Sequence, residues 1–293
     1  MKQNKDRALL IFSMLIFSTI GIFCKYIPVP SSFLSMMRGA VGMLFLLGWV
    51  CLRGRKISGA AIKKNALVLL LSSIALPFNW MLLFEAYQYT SVATATLCYY
   101  MAPIFVILVS PILFREKLTG KKLLCVAVAL AGMVMVSGVL EAGFGGVGEL
   151  KGVLLGLGAA ALYASVIVLN KQLRDISAYD KTIVQLGIAA VVMLPYVLLT
   201  EDLSAISFDA VAVVMLLIVG VVHTGVAYAC YFGPIGALPA QTVALFSYID
   251  PVGAVILSAL VLREPMGFWG AVGAVLVLGA ALVSELPERK KDK

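Results

Sequence analysis

The sequence is built from long apolar runs separated by short polar breaks. Each run is close to the ~20 residues that a helix needs to cross a ~30 Å hydrocarbon layer. Apolar residues make up 62% of the chain and charged residues only 13%, whereas an average soluble domain has about 45–50% and about 25%. A soluble fold is therefore excluded, and the sequence predicts a multi-pass integral membrane protein.

The apolar runs are too long for the strands of a membrane barrel. Because only helices and closed barrels satisfy every backbone polar group in lipid, the runs are predicted to be α-helices. The expected fold class is all-α, with ten transmembrane helices. The predicted spans are residues 8–24, 33–52, 66–84, 92–114, 123–140, 153–169, 183–199, 211–232, 240–262 and 266–284.

The basic residues are distributed unevenly between the two sides of these spans. Nineteen of the 23 Lys and Arg residues fall in segments on the side of the N-terminus, three fall on the other side, and Arg38 lies within span 2. The positive-inside rule then places both termini in the cytoplasm, in the inner membrane if the host is bacterial. Since the net charge of +8 is explained by topology, no nucleic-acid partner is expected, and the lipid bilayer is the expected surrounding.

The two halves of the chain resemble each other. Shifting the sequence by 148 positions aligns residues 94–117 with residues 242–265, with seven identities that include Tyr100/Tyr248, Pro103/Pro251 and the Arg-Glu pairs at 115–116 and 263–264. Five spans per copy is an odd number, so the copies are expected to enter the membrane from opposite sides. The predicted domains are residues 1–141, residues 149–285, and a basic cytoplasmic tail at 286–293.

Inverted repeats of this kind are typical of secondary transporters, in which the binding site lies between the copies near the membrane midplane. A passive channel or facilitative pore stays open as the alternative. The sequence contains no Walker loop and no H-E-x-x-H motif, so an enzyme is not expected. The five cysteines have no C-x-x-C pair and are interpreted as core residues, so neither a metal nor another cofactor is expected.

Several short motifs resemble the EamA-type transporters of the drug/metabolite transporter superfamily. The segment FEAYQYTSVATA from Phe84, with PIFV from Pro103 and REKLT from Arg115, is similar to the first repeat of that family, and DPVGA from Asp250 with REP from Arg263 is similar to the second. The family usually has Glu where this chain has Asp250. The resemblance implies ten helices around a central cavity lined by spans 1–4 and 6–9, and the transport of small metabolites.

Three ionisable residues inside the predicted spans are candidates for function, because charges at this depth are costly. Asp250 lies near the middle of span 9 beside a helix-bending proline, and is a candidate to bind substrate and to carry a proton. Its other interpretation is a hydrogen bond to the bent backbone. His223 is a second candidate proton carrier or a neutral residue between helices. Arg38 would bind a carboxylate, or form an ion pair with Glu85.

Aromatic and amide residues complete the predicted substrate site, with interfacial belts as the alternative interpretation. Arg38 and Asp250 together would complement a zwitterion, which favours amino acids or related amine-bearing metabolites as the small-molecule substrate. Lys25 is interpreted as an interfacial anchor. Small residues on span 10 allow close helix packing or a homodimer. The remaining candidate wall residues are Asn79, Trp80, Tyr99, Tyr100, Tyr228 and Tyr248.

Overall fold

The computed structural model describes residues 2–114, 119–136, 147–206, 209–235, 238 and 246–286, and every regular element within these ranges is helical. The elements are α1 (Lys2–Tyr26), α2 (Ser31–Leu52), α3 (Gly59–Lys64), α4 (Ala66–Tyr89), α5 (Val92–Tyr99), α6 (Ala102–Phe114), α7 (Gly120–Val136), α8 (Val147–Asn170), α9 (Ala178–Thr200), a 3₁₀ turn (Leu203–Ala205), α10 (Ala210–Leu217), a π-helix (Ile218–Val226), α11 (Ala227–Ile235), α12 (Ile249–Leu260) and α13 (Phe268–Glu285).

The all-helical membrane fold predicted from the sequence is confirmed. Within the described ranges, seven helical stretches are long and apolar enough to cross a membrane, and two shorter apolar helices cover Ile249–Leu260 and Phe268–Ser284. Predicted span 123–140 coincides with α7, but its last four residues lie outside the described ranges. Residues 240–245, at the start of predicted span 9, also lie outside them.

Three local features differ from uninterrupted spans. The short helix α3, which the sequence analysis did not predict, precedes α4. Span 4 is divided into α5 and α6, and span 8 contains a nine-residue π-helix between α10 and α11. π-Helical turns are rare and are found frequently at functional sites, and this one contains the candidate residue His223.

Side-chain caps begin several of the helices. The Ser91 hydroxyl accepts from the Thr94 amide at 3.0 Å at the start of α5, and Ser177 does the same for Asp180 at the start of α9. Asp209 caps α10 through the Ala212 amide at 2.7 Å. Each cap satisfies one of the amide groups that a helix leaves unbonded in its first turn.

The bundle buries two large apolar clusters and exposes an apolar outer surface. One cluster involves α2 and α4 with α9, and the other involves α6 and α7 with α8 and α13. Large side chains that remain exposed include Leu52, Leu199 and Ile112. Such an extensive apolar exterior would be unfavourable in water and is suited to contact with lipid chains.

The small residues of span 10 are used for packing inside the molecule. A Cβ atom added at Gly273 on α13 would lie 2.5 Å from the carbonyl oxygen of Gly132 on α7. A Cβ at Gly132 would lie 2.9 Å from the carbonyl oxygen of Gly273. The two helices therefore approach each other backbone to backbone at this crossing.

Candidate functional site

Two broken helices meet at the centre of the candidate site. α5 ends at Tyr99 and α6 begins at Ala102, while a turn at Tyr248 directly precedes α12. Pro103 and Pro251 lie within the first turns of α6 and α12, where proline has no amide hydrogen to continue the preceding helix. The rings of Tyr100 and Tyr248, which occupy the two breaks, have centroids 6.4 Å apart. The proline pair found in the sequence thus interrupts both helices at equivalent positions.

Asp250 lies in the first turn of α12, directly after one of these breaks. Its Oδ2 accepts a hydrogen bond of 2.8 Å from the hydroxyl of Tyr100. A carboxylate at a helix N-terminus is also favoured by the helix dipole. The described hydrogen bond of Asp250 therefore joins the two broken helices, whereas the sequence analysis had offered a bond to the bent backbone as its structural role.

Tyr99 and Asn79 form a wall next to this contact. The Tyr99 ring stacks on Tyr163 with centroids 5.1 Å apart and meets the Tyr100 ring edge-on at 6.2 Å. Its hydroxyl donates to Asn79 Oδ1 at 3.5 Å, and Asn79 Nδ2 donates to the Ala159 carbonyl at 2.6 Å. The amide of Asn79 is thus engaged in holding α4 against α8. Tyr163 was absent from the predicted wall, although it aligns with Phe17 between the repeats.

Arg38 is buried inside the bundle. Its Nε donates to the Thr224 hydroxyl at 2.9 Å, and its guanidinium carbon lies 4.2 Å from the centroid of the Trp80 ring. The aromatic face stabilises the cation, and the Nε bond occupies one of its five donors. Glu85 accepts from Ser31 at 2.8 Å instead, and the ion pairs in the described part of the chain do not include Arg38 with Glu85.

Arg38 and Asp250 are opposite charges in the same bundle but do not form a direct ion pair in the described structure. Arg38 is held by Thr224, and Asp250 is held by Tyr100. Because the two residues lie in different repeats, their arrangement depends on how the repeats pack and leaves no local sequence pattern.

His223 lies in the π-helix, almost fully buried. Its Nε2 is 2.9 Å from the Thr19 hydroxyl, and its Nδ1 is 3.3 Å from the carbonyl oxygen of Ile218. Thr19 also lies 2.7 Å from the carbonyl oxygen of Ile16. The single hydroxyl hydrogen of Thr19 can point to Ile16 or to His223, but not to both. A neutral imidazole protonated on Nδ1 accepts it on Nε2, whereas the other neutral tautomer and the imidazolium donate from Nε2 to the Thr19 oxygen.

Tyr228 lies beside this π-helix, with its ring edge-on to Phe17 at 5.6 Å and tilted against Phe232 at 5.5 Å. It contributes to an aromatic cluster between α1 and α11.

Thr19 and Thr224, which the sequence analysis did not select, contact His223 and Arg38 across the two halves of the chain. No local sequence signal identifies them, because each is an ordinary threonine in an apolar span.

A surface cavity of about 480 Å³ lies between α4 and α8, apart from this cluster. Its lining residues are Leu82, Leu150, Lys151, Leu154 and Leu155, and none of the candidate site residues is among them. Groups of His, Cys, Asp or Glu that could hold a metal ion were not found in the described ranges.

The apolar bundle, its two broken helices and its buried charges define the class of protein as a multi-pass membrane transporter. The sequence matches the EamA-like transporter family twice, over residues 7–138 and over residues 150–285. The chain therefore belongs to the EamA-like transporter family, and it contains two copies of the family domain.

Relatives from bacteria and archaea carry the same general description. The chain is 27% identical to the "Uncharacterized transporter YxxF" of Bacillus subtilis over 279 residues, which cover 93% of this chain and 87% of the relative. It is 25% identical to an "Uncharacterized transporter" of Archaeoglobus fulgidus over 288 residues, covering 94% and 95% of the two chains. A crystal structure with 19% sequence identity superposes with a TM-score of 0.65, covering 97% of this chain and 98% of the other, which supports the fold.

Proposed function

We propose that the protein is a secondary transporter built from two inverted five-helix repeats that moves small organic metabolites by alternating access. The most extensive helix contacts support this proposal, because they recur when each helix is exchanged for its repeat counterpart. The contact of α4 with α8 corresponds to that of the π-helix and α11 with α1. The contact of α1 with α12 corresponds to that of α8 with α5 and α6. The contacts of α2 with α9, of α5 with α12 and of α7 with α13 each join a helix to its own counterpart in the other repeat, so the exchange leaves them unchanged.

The observation that carries the substrate proposal is a pair of opposite charges in one bundle. Arg38 lies against the Trp80 ring, and Asp250 is hydrogen-bonded to Tyr100 of the tyrosine cluster. A guanidinium binds a carboxylate through paired hydrogen bonds, and a carboxylate beside aromatic rings suits an ammonium group. We therefore favour amino acids or related amine-bearing metabolites. Both termini are proposed to lie in the cytoplasm of a bacterial host, with the protein in its inner membrane.

A liposome assay tests the substrate class. Purified protein is reconstituted, and uptake and exchange of labelled amino acids, amines and nucleobases are measured over a range of concentrations. A transporter saturates with substrate and exchanges labelled solute, whereas the alternative, a channel, passes solute far faster. Arg38→Lys keeps the charge but loses the planar fork, so amino-acid affinity is expected to fall roughly 10- to 100-fold. Equal transport of every amino acid by Arg38→Lys and Arg38→Gln contradicts the zwitterion proposal.

Proton coupling is proposed to reside at Asp250. Asp250→Asn is expected to fold and to exchange amino acids with lower affinity, because the substrate ammonium loses its carboxylate, and to lose uphill uptake driven by a pH gradient. His223→Gln is the matched variant, because His223 is the other buried candidate and contacts a different helix pair. Retention of gradient-driven uptake in Asp250→Asn together with its loss in His223→Gln would assign the proton to the π-helix.

A further inference from the structure

Glu264, in the loop after α12, connects three separate helices through one carboxylate. Its Oε1 forms an ion pair with Nζ of Lys25, at the end of α1. Its Oε2 accepts from the backbone amide of Val92, the first residue of α5, at 2.8 Å, and from the hydroxyl of Ser258 on α12. Lys25, Val92, Ser258 and Glu264 are named here the Glu264 latch. Lys25, predicted as an interfacial anchor, is thus engaged in an ion pair.

The loop geometry directs Glu264 back over the end of its own helix. Arg263 has a φ of 54°, in the left-handed region that non-glycine residues seldom adopt. The Glu264 amide donates to the Ser258 carbonyl at 3.2 Å. The side chain of Glu264 is only 13% exposed, so its charge depends on these partners rather than on water. The Val92 amide it binds is one that the start of α5 leaves without a helical partner.

The Glu264 latch lies at the end of α12, whose first turn carries Asp250. Asp250 lies on α12, and Tyr100 directly follows α5. Further into the bundle, α1 and α12 touch where a Cβ at Gly253 would lie 2.7 Å from Cβ of Ser18. Separating α12 from α1 and α5 would therefore expose Asp250 to the side of the membrane opposite the termini.

A second helix pair is fastened in a different way. α2 and α9 are joined at one end by Ser32 donating to Glu201 at 2.5 Å. The other end of α9 is joined to the segment that follows α2, where the amide of Ser58 donates to Oδ2 of Asp180 at 3.4 Å. Polar contacts therefore lie near both ends of α9. The Glu264 latch joins its three helices at one end, which is the arrangement expected of a closure that has to open.

We propose that the Glu264 latch is the closure of the substrate path on the membrane side opposite the termini, and that the path opens when Glu264 leaves Lys25 and Val92. This inference rests on the proposed alternating-access transport. Beyond that transport, it identifies the contacts that hold the path shut in the conformation described. It also assigns to Glu264 and Lys25 a role outside the substrate site.

Cysteine labelling tests the latch. Ser18→Cys serves as the reporter, in a background whose five native cysteines are replaced by serine or alanine. A membrane-impermeant maleimide is added from the side opposite the termini. Glu264→Gln keeps the size of the side chain but removes its charge, and is expected to raise the labelling rate about tenfold, equivalent to about 1.4 kcal/mol. Lys25→Gln leaves the hydrogen bonds of Glu264 with Val92 and Ser258 in place, and is also expected to raise the labelling rate.

Asp175→Asn is the matched control, because it breaks the other ion pair of the described ranges, that of Lys64 with Asp175, without touching the latch. Unchanged labelling in both latch variants overturns the proposal, and so does an equal increase in the control. If labelling rises but no amino acid is transported, the latch stands and the substrate proposal fails. If the wild type transports amino acids while latch variants label like the wild type, the latch fails and the proposed function stands.

Discussion

The crossing of α7 and α13 offers a quantitative test of the packing. A methyl group at Gly273 would lie 2.5 Å from the carbonyl oxygen of Gly132 and 2.8 Å from Cβ of Met135. Both distances are far below van der Waals contact, and the nearest atom belongs to backbone that cannot rotate away. Gly279, on the same helix, has no such neighbour within 4 Å. Alanine at Gly273 would therefore clash with its neighbours, whereas alanine at Gly279 would not. Both substitutions make the same change in helix propensity.

The expected magnitudes follow from this difference. Replacing glycine by alanine in a helix stabilises it by up to about 1 kcal/mol, whereas overpacking costs about 1–3 kcal/mol. Because the propensity gain is common to both variants, Gly273→Ala should be about 1–3 kcal/mol less stable than Gly279→Ala. At about 2–4 °C per kcal/mol for a chain of this size, the melting temperatures should differ by roughly 2–12 °C.

The assay is thermal unfolding of the two purified variants and the wild type in one detergent, followed by the exposure of buried cysteines to a fluorescent thiol reagent. Gly279→Ala should melt at or slightly above the wild-type temperature, and Gly273→Ala below it. A Gly273→Ala variant that melts with Gly279→Ala would refute the close backbone approach of α7 and α13.

Three further predictions concern other contacts. Tyr100→Phe removes the hydroxyl that donates to Asp250, so it should lower the melting temperature more than Tyr99→Phe, whose hydroxyl makes only a 3.5 Å contact with Asn79; equal shifts would argue against the Asp250 contact. The hydrogen bond from Lys64 lowers the pKa of Asp175 below its ordinary 3.8, so the pair stabilises the fold above that pH and loses its contribution as the pH falls through the lowered pKa. The melting temperatures of wild type and Asp175→Asn should accordingly converge in acid, and a constant difference from pH 7 to pH 3 would contradict this. Tags at both termini should be cytoplasmic and the 141–149 loop external; labelling of that loop from the cytoplasmic side of sealed vesicles would disprove the orientation.

Some features were accessible from the sequence because they depend on residues close together in the chain. The length of each apolar run indicated a membrane helix, since lipid leaves the backbone no other partner than its own helix. Pro251 predicted a bend in span 9, and the structure has a turn next to it; its aligned counterpart Pro103 lies next to the break between α5 and α6. The presence and approximate limits of the long apolar helices follow from such local rules, whereas α3 and the π-helix do not.

The tertiary structure alone decided which side chains meet. Tyr100 and Asp250 are 150 positions apart, and Arg38 and Thr224 are 186 apart, so their contacts depend on how the two halves pack and leave no local pattern. The π-helix around His223 and the contact of Glu264 with Val92 belong to the same category. A buried polar group needs a partner wherever the fold supplies one, and only the packed bundle specifies that partner.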